Sequence, residues 1–176
     1  ADQAEETDVP IAQAHRAAQA ARRLADAASP PAAERDWFDL AALATRTVQW
    51  MRYDRRYRGF AFEVQSEPAL PAVRSLPQVV QQVLMQMLSM VCDALVARGD
   101  ERAPVRIVLG SDGAAVTMAI ESAATLDLTR DETLRSIMLA RAALEPLAAQ
   151  LAFGQEGDGR EPIKLVLPMD RETAPR

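Results

Sequence analysis

The sequence predicts an α+β fold: a two-layer sandwich in which helices cover a mixed sheet, preceded by an N-terminal helix. Three observations predict it. Val80, Val83, Leu84, Met87, Leu88, Val91, Ala94 and Leu95 recur at three- and four-residue steps, which is one face of a long helix. Val105 to Leu109 and Ala115 to Glu121 alternate about a Ser111-Asp112-Gly113 turn, which is a hairpin. Leu151 to Gln155 and Ile163 to Leu167 form a second strand pair about Gly157-Asp158-Gly159.

Residues 1–8 are acidic and polar. Ile11 to Ala28 is alanine-rich, without glycine or proline, and reads as a helix that Ser29-Pro30-Pro31 stops. Asp36 to Leu40 reads as a short strand or the lead-in to a helix that Asp39 caps. That helix spans Ala41 to Arg58, with Leu43, Thr47, Trp50, Met51 and Tyr57 on or near one face, and Gly59 ends it. Phe60 to Val64 alternates as a strand. A link with Pro68 and Pro71 leads to Pro77, where the long helix begins; it runs to Arg98 and closes on Gly99. After the hairpin, Leu134 to Leu151 is the last helix, with a kink or break expected at Pro146. Asp170 to Arg176 is a polar tail.

Composition narrows the function. Hydrophobic residues make up 49% of 176, enough to bury a core. The apolar runs are short and broken by charge, so no membrane span is expected, and no signal peptide pattern opens the chain. A cytoplasmic protein is the expectation. Cys92 is the single cysteine, which excludes an internal disulfide or a thiolate zinc site, and it reads as an inert buried thiol. A net charge of −5 makes nucleic acid an improbable partner. One histidine and no glycine-elbowed serine leave no Ser-His-Asp or Cys-His arrangement.

The segment Gln82-Val83-Leu84-Met85-Gln86-Met87-Leu88-Ser89-Met90-Val91 resembles the asparagine-motif helix, Q-V-L-x-N-L-L-x-N-A, of histidine-kinase and gyrase-type (GHKL, or Bergerat) ATPase domains. Phe38-Asp39-Leu40, Ala72-Val73-Arg74, the hairpin Val105 to Ile120, the helix around Leu139-Ala140 and Ile163 to Pro168 resemble further pieces of that domain in the same order. The resemblance covers roughly residues 36 to 169. It implies domains at 1–35 (tail and dimerisation-type helix), 36–170 (the ATPase-like domain) and 171–176 (tail).

The same resemblance locates the departures. The two asparagine positions hold Gln86 and Met90. In the family the second asparagine helps to hold the nucleotide's magnesium, and a thioether is a poor ligand for a hard cation. The adenine-binding aspartate and the first glycine fall on Ser122 and Ala124; Glu121 is one residue out of register. The lid glycines, whose amides meet phosphate at a helix start, are replaced by Asp131 to Met138 with no glycine. Losing magnesium, base and phosphate contacts together implies a domain without ATP and without a cofactor or metal.

Three further features carry expectations. His15 is the only histidine, and a phosphorelay role for it competes with an ordinary helix residue; Arg16 follows it where a phospho-acceptor motif has an acid. Arg52, Arg55, Arg56 and Arg58, interleaved with Tyr53 and Tyr57, either dock an acidic partner such as a response-regulator receiver domain or only complement a helix C-terminus. Met85, Met87, Met90, Met118 and Met138 either fill the vacated pocket or line an apolar groove. The expected function is therefore a non-catalytic two-component signalling module acting by protein contact, as a homodimer through Ile11 to Ala28. The alternatives are a histidine phosphotransferase using His15, or a structural module that reuses the fold.

Overall fold

The computed structural model describes residues 35–153 and 163–169. The chain divides into two units, Ala1–Glu34 and Arg35–Arg176, and all described residues belong to the second. The expectations for His15, Ile11 to Ala28, the Gly157-Asp158-Gly159 turn and the Asp170 to Arg176 tail lie outside the described residues.

Strand β1 (Asp36–Phe38) pairs antiparallel with β3 (Val73–Ser75), setting Trp37 opposite Arg74. Asp39 then starts helix α1 (Leu40–Tyr53): its Oδ1 accepts from the amides of Ala41 at 2.8 Å and Ala42 at 3.1 Å. That satisfies two amides that have no partner inside the helix. Leu40, Leu43, Ala44, Thr47, Val48 and Met51 are buried along one stripe.

Two expectations for this helix are corrected. It ends at Tyr53 rather than Arg58. Asp54 leaves the helical region (ψ 126°), and its carboxylate takes the Arg56 amide at 3.0 Å. A local carboxylate-to-amide bond of this kind competes with helix continuation. Gly59 does not cap the helix, since only Gly99 and Gly113 have positive φ among the described glycines. Trp50, expected on or near the face of Leu43, Thr47 and Met51, is 52% exposed, beside that buried stripe rather than in it.

The main sheet has the order β2 (Phe62–Ser66), β4 (Val105–Ser111), β5 (Ala115–Glu121), β7 (Ile163–Pro168), β6 (Gln150–Phe153). β2 runs parallel to β4 and every other neighbour is antiparallel, so the sheet is mixed, as expected. Val105, Ile107 and Leu109 alternate with Val116, Met118 and Ile120 to build one buried face. The β4–β5 turn closes when Asp112 Oδ1 accepts from Ala114 and Ala115 at 2.9 and 2.8 Å. Those two amides hold the Asp112 carboxyl below its ordinary range.

Helix α2 (Pro77–Arg98) is the crossover between β2 and β4. It ends on Gly99 at φ 71°, where the Gly99 amide reaches back to Val96 O and the Asp100 amide to Leu95 O. A side chain at that φ is strained, so glycine is the natural terminator. By length and composition alone α2 is apolar enough to cross a bilayer. In the fold, Val80, Val83, Leu84, Met87, Leu88, Val91, Cys92 and Leu95 are instead buried in the core. Burial first, and the neighbouring Asp93 second, push the Cys92 thiol up to about 12, so it stays a thiol at neutral pH.

Helix α3 (Asp131–Leu144) packs on α2 and β6. It starts before Leu134 and stops before Pro146, which lies in a 3-10 turn (Glu145–Leu147); the expected break is therefore an ending.

Candidate functional site

The motif-bearing stretch of α2 is fastened to α3, and the C-terminal end of α2 to the loop 122–130 between β5 and α3. What they present there is neither a cation cage nor a glycine cradle. Gln86 is half-buried on α2, and its Nε2 donates to the backbone carbonyl of Ser136 in α3 at 3.0 Å. Its amide is committed to fastening one helix to the other. Met90, four residues on and so on the same face, is half-buried and packs against the core. Between them, Ser89 Oγ bonds Tyr57 OH at 2.5 Å.

Beyond Met90 the next turn brings Asp93. Although Asp93 is exposed as a residue, its carboxyl lies above the ordinary range, chiefly from desolvation by its neighbours and also from Glu132 in the first turn of α3; Arg56 opposes both. Glu132 and Asp131 are exposed at the start of α3. They suit the helix dipole, and they put negative charge where a phosphate-binding helix start needs none. Among the described residues no group of three or more His, Cys, Asp or Glu side chains could hold a metal.

A carboxyl raised in the folded state binds its proton more tightly there than when unfolded. Its charged form therefore lowers stability as pH rises from the unfolded value, 3.8, through the folded one. We expect Asp93→Asn to raise the neutral-pH midpoint in urea slightly, by less than ~1 kcal/mol after solvent screening. The gain should fade as pH falls through the unfolded value and vanish below about pH 3, where the carboxyl is protonated in both states. A pH series of urea melts on both proteins measures it.

Ser122 follows β5 directly, and its Oγ accepts the Ala124 amide at 3.1 Å. Ala124 is 5% exposed, with its methyl in the core. Glu121 is exposed and sits opposite Arg106 in the ladder, so alternation does turn it away from the interior. The loop is short and fastened. Arg98 Nη1 donates to Ala123 O at 2.7 Å and to Thr125 Oγ1 at 3.4 Å. Asp127 Oδ1 accepts from the Thr129 amide at 3.0 Å and its hydroxyl at 2.6 Å.

The structure separates some residues that the sequence grouped. Met87 and Met118 are core, Met85 and Met90 are half-buried, and Met138 is 69% exposed on α3. Of the arginines, Arg52 Nη2 donates to Phe62 O at 3.0 Å. Arg56 pairs with Asp54 at 2.7 Å and lies 5.0 Å over the Tyr57 ring. Arg55 and Arg58 are exposed and make no ion pair among the described residues. Sequence reasoning missed Asp93 and Arg98. Arg98 was findable as a cation in the last turn before a glycine stop; Asp93 was findable only as a charge on an otherwise apolar helix. A cleft of about 130 Å³ between Arg35, Leu147, Leu167 and Met169 takes no part, since none of Gln86, Met90, Ser122 or Ala124 lines it.

No family model and no curated protein matches the chain. Solved structures do. The catalytic domain of histidine kinase ThkA in a nucleotide-free form aligns with a TM-score of 0.64 at 13% identity, over 79% of this chain and 99% of that one. The Acinetobacter baumannii histidine kinase AdeS aligns with a TM-score of 0.62 at 13% identity, over 77% of this chain and 68% of that one. ThkA in complex with the response regulator protein TrrA aligns with a TM-score of 0.59 at 11% identity, over 97% of this chain and 53% of that one. Likeness at such identity speaks of architecture: the mixed five-stranded sheet packed against helices is the fold of histidine kinase catalytic domains.

Proposed function

We propose that this chain is a two-component signalling module that has lost ATP binding and acts by protein–protein contact. One observation carries the reading. At the positions where the resemblance implies magnesium and adenine contacts, Gln86 is engaged with the Ser136 carbonyl, Met90 packs on the core, and Ala124 is buried. The acidic first turn of α3 and the pinned loop 122–130 agree with it. On this reading residues 36–170 form the degenerate ATPase-like domain, residues 1–35 the dimerisation-type helix, and the site of action is the cytoplasm. The partner is a response-regulator receiver domain, and the ThkA complex with TrrA supports a partner of that kind. No described residue bears on a phosphotransferase role for His15 or on a purely structural module.

Thermal shift with a non-hydrolysable ATP analogue and magnesium tests the loss. A site with a Kd near 10 μM, given ~1 mM ligand, would add about 2.7 kcal/mol. That corresponds to roughly 5–10 °C in a domain of this size. We expect a change below about 0.5 °C, the ordinary noise of such a melt. A rise of several degrees returns the chain to the ATP-binding kinases.

A further inference from the structure

Trp50 and Tyr53 are the two large aromatic side chains that the fold leaves in solvent, 52% and 81% exposed. They stand three residues apart on α1, so they are neighbours on one flank of the helix. Arg46 lies four residues before Trp50 on that flank and is exposed. Arg55 and Arg58 follow Tyr53 within the next turn of chain, both exposed. The two rings show on the order of 300 Å² to water, the size of the largest apolar patch on a typical monomer. Nothing about the helix requires this: its core stripe runs through Leu43, Thr47 and Met51 and is complete without Trp50.

We propose that Trp50, Tyr53, Arg46, Arg55 and Arg58 form a docking face for a protein partner that presents carboxylates around an apolar recess. The inference rests on the reading of this chain as a module acting by protein contact, and it names the contact. Tryptophan, tyrosine and arginine are the residue types that dominate binding energy at protein interfaces. The charge is locally one-sided, because the three arginines make no ion pair among the described residues while the chain as a whole carries −5. Arg52 and Arg56 are not part of the face, since each is spent on an internal partner.

Chemistry separates this occupant from nucleic acid. A nucleic-acid surface neutralises about 6–10 phosphates. Three exposed arginines on a chain of pI ≈ 5.0 fall short of that. The same three suffice for a few carboxylates, with the rings supplying the desolvated centre.

The test uses the full chain carrying Trp37→Phe, so that Trp50 is the only indole. The probes are a labelled amphipathic peptide of Glu, Leu and Ala, polyglutamate of equal charge, and (dT)20. We expect the amphipathic peptide to shift Trp50 emission to the blue and to bind with a Kd of roughly 10–100 μM. Anisotropy of the labelled peptide against the unmodified chain should return the same Kd. Tyr53→Ala and the pair Arg55→Glu, Arg58→Glu should each weaken it about tenfold or more. These sites are exposed, so the melting temperature should hold.

Equal binding by the variants, tighter binding of (dT)20, equal binding of polyglutamate, or no binding at about 1 mM peptide overturns the proposal. The nucleotide melt keeps the two readings apart. Peptide binding beside ATP binding leaves the face standing and removes the loss of ATP. Neither ligand binding removes the face alone.

Discussion

Leu88→Ala is expected to cost about 3–5 kcal/mol, the loss of a fully buried leucine plus the cavity it leaves. Leu88 is 0% exposed, midway along α2 between Leu84 and Cys92, which are also 0% exposed. α2 touches both α1 and α3, so no single neighbour can settle into the gap. A domain holds about 5–15 kcal/mol in total, so this one change removes a large part of the folded population. Urea titration followed by far-UV circular dichroism measures it. Val96→Ala is the control on the same helix: Val96 is 49% exposed, and its loss should stay within about 0.5 kcal/mol. Equal costs at the two sites would mean that α2 is not the core helix.

Tyr57→Ala is expected to cost about 3–4 kcal/mol, within the range for deleting a buried ring. Tyr57 is 5% exposed although it lies in the turn after α1. Its ring sits 6.4 Å from Phe60, which sits 6.2 Å from Phe62 in the edge strand. Its hydroxyl meets Ser89, so the residue bolts the turn to α2 between Gln86 and Met90. Tyr57→Phe keeps the ring and should cost only about 1 kcal/mol, the worth of one hydrogen bond. A double-mutant cycle with Ser89→Ala should show that the second change adds little once the first is made. Additive losses would mean that the hydroxyls are served by water instead.

The fold was legible because its signals are periodic. The apolar steps of Val80 to Leu95 and the alternation of Val105 to Glu121 became α2 and the β4–β5 pair. Asp39 and Gly99 worked as punctuation, since each acts through backbone groups next to itself. Trp50 was misread because helical spacing places it beside Leu43 and Thr47, and spacing alone does not say how wide the buried stripe is. The end of α1 was misread because a glycine at 59 outweighed Asp54, whose carboxylate-to-amide bond had already stopped the helix. At the candidate site, the identities of Gln86, Met90, Ser122 and Ala124 were plain. What engages them was not, because Ser136 lies fifty residues from Gln86 in the chain.

β2 lies beside β4 in parallel, and α2 must be made before the two can pair. The pairs β4–β5 and β6–β7 join consecutive strands, whereas β2 reaches β4 only after α2, and β5 reaches β7 only after α3 and β6. A chain leaving the ribosome N-terminus first therefore displays its most bilayer-like helix before the sheet that covers it has been translated. Non-local strand pairing is slow as well, because loop closure comes before any stabilising contact. The apolar face of α2 therefore stays uncovered during synthesis until β4, β5, β6 and β7 have followed it.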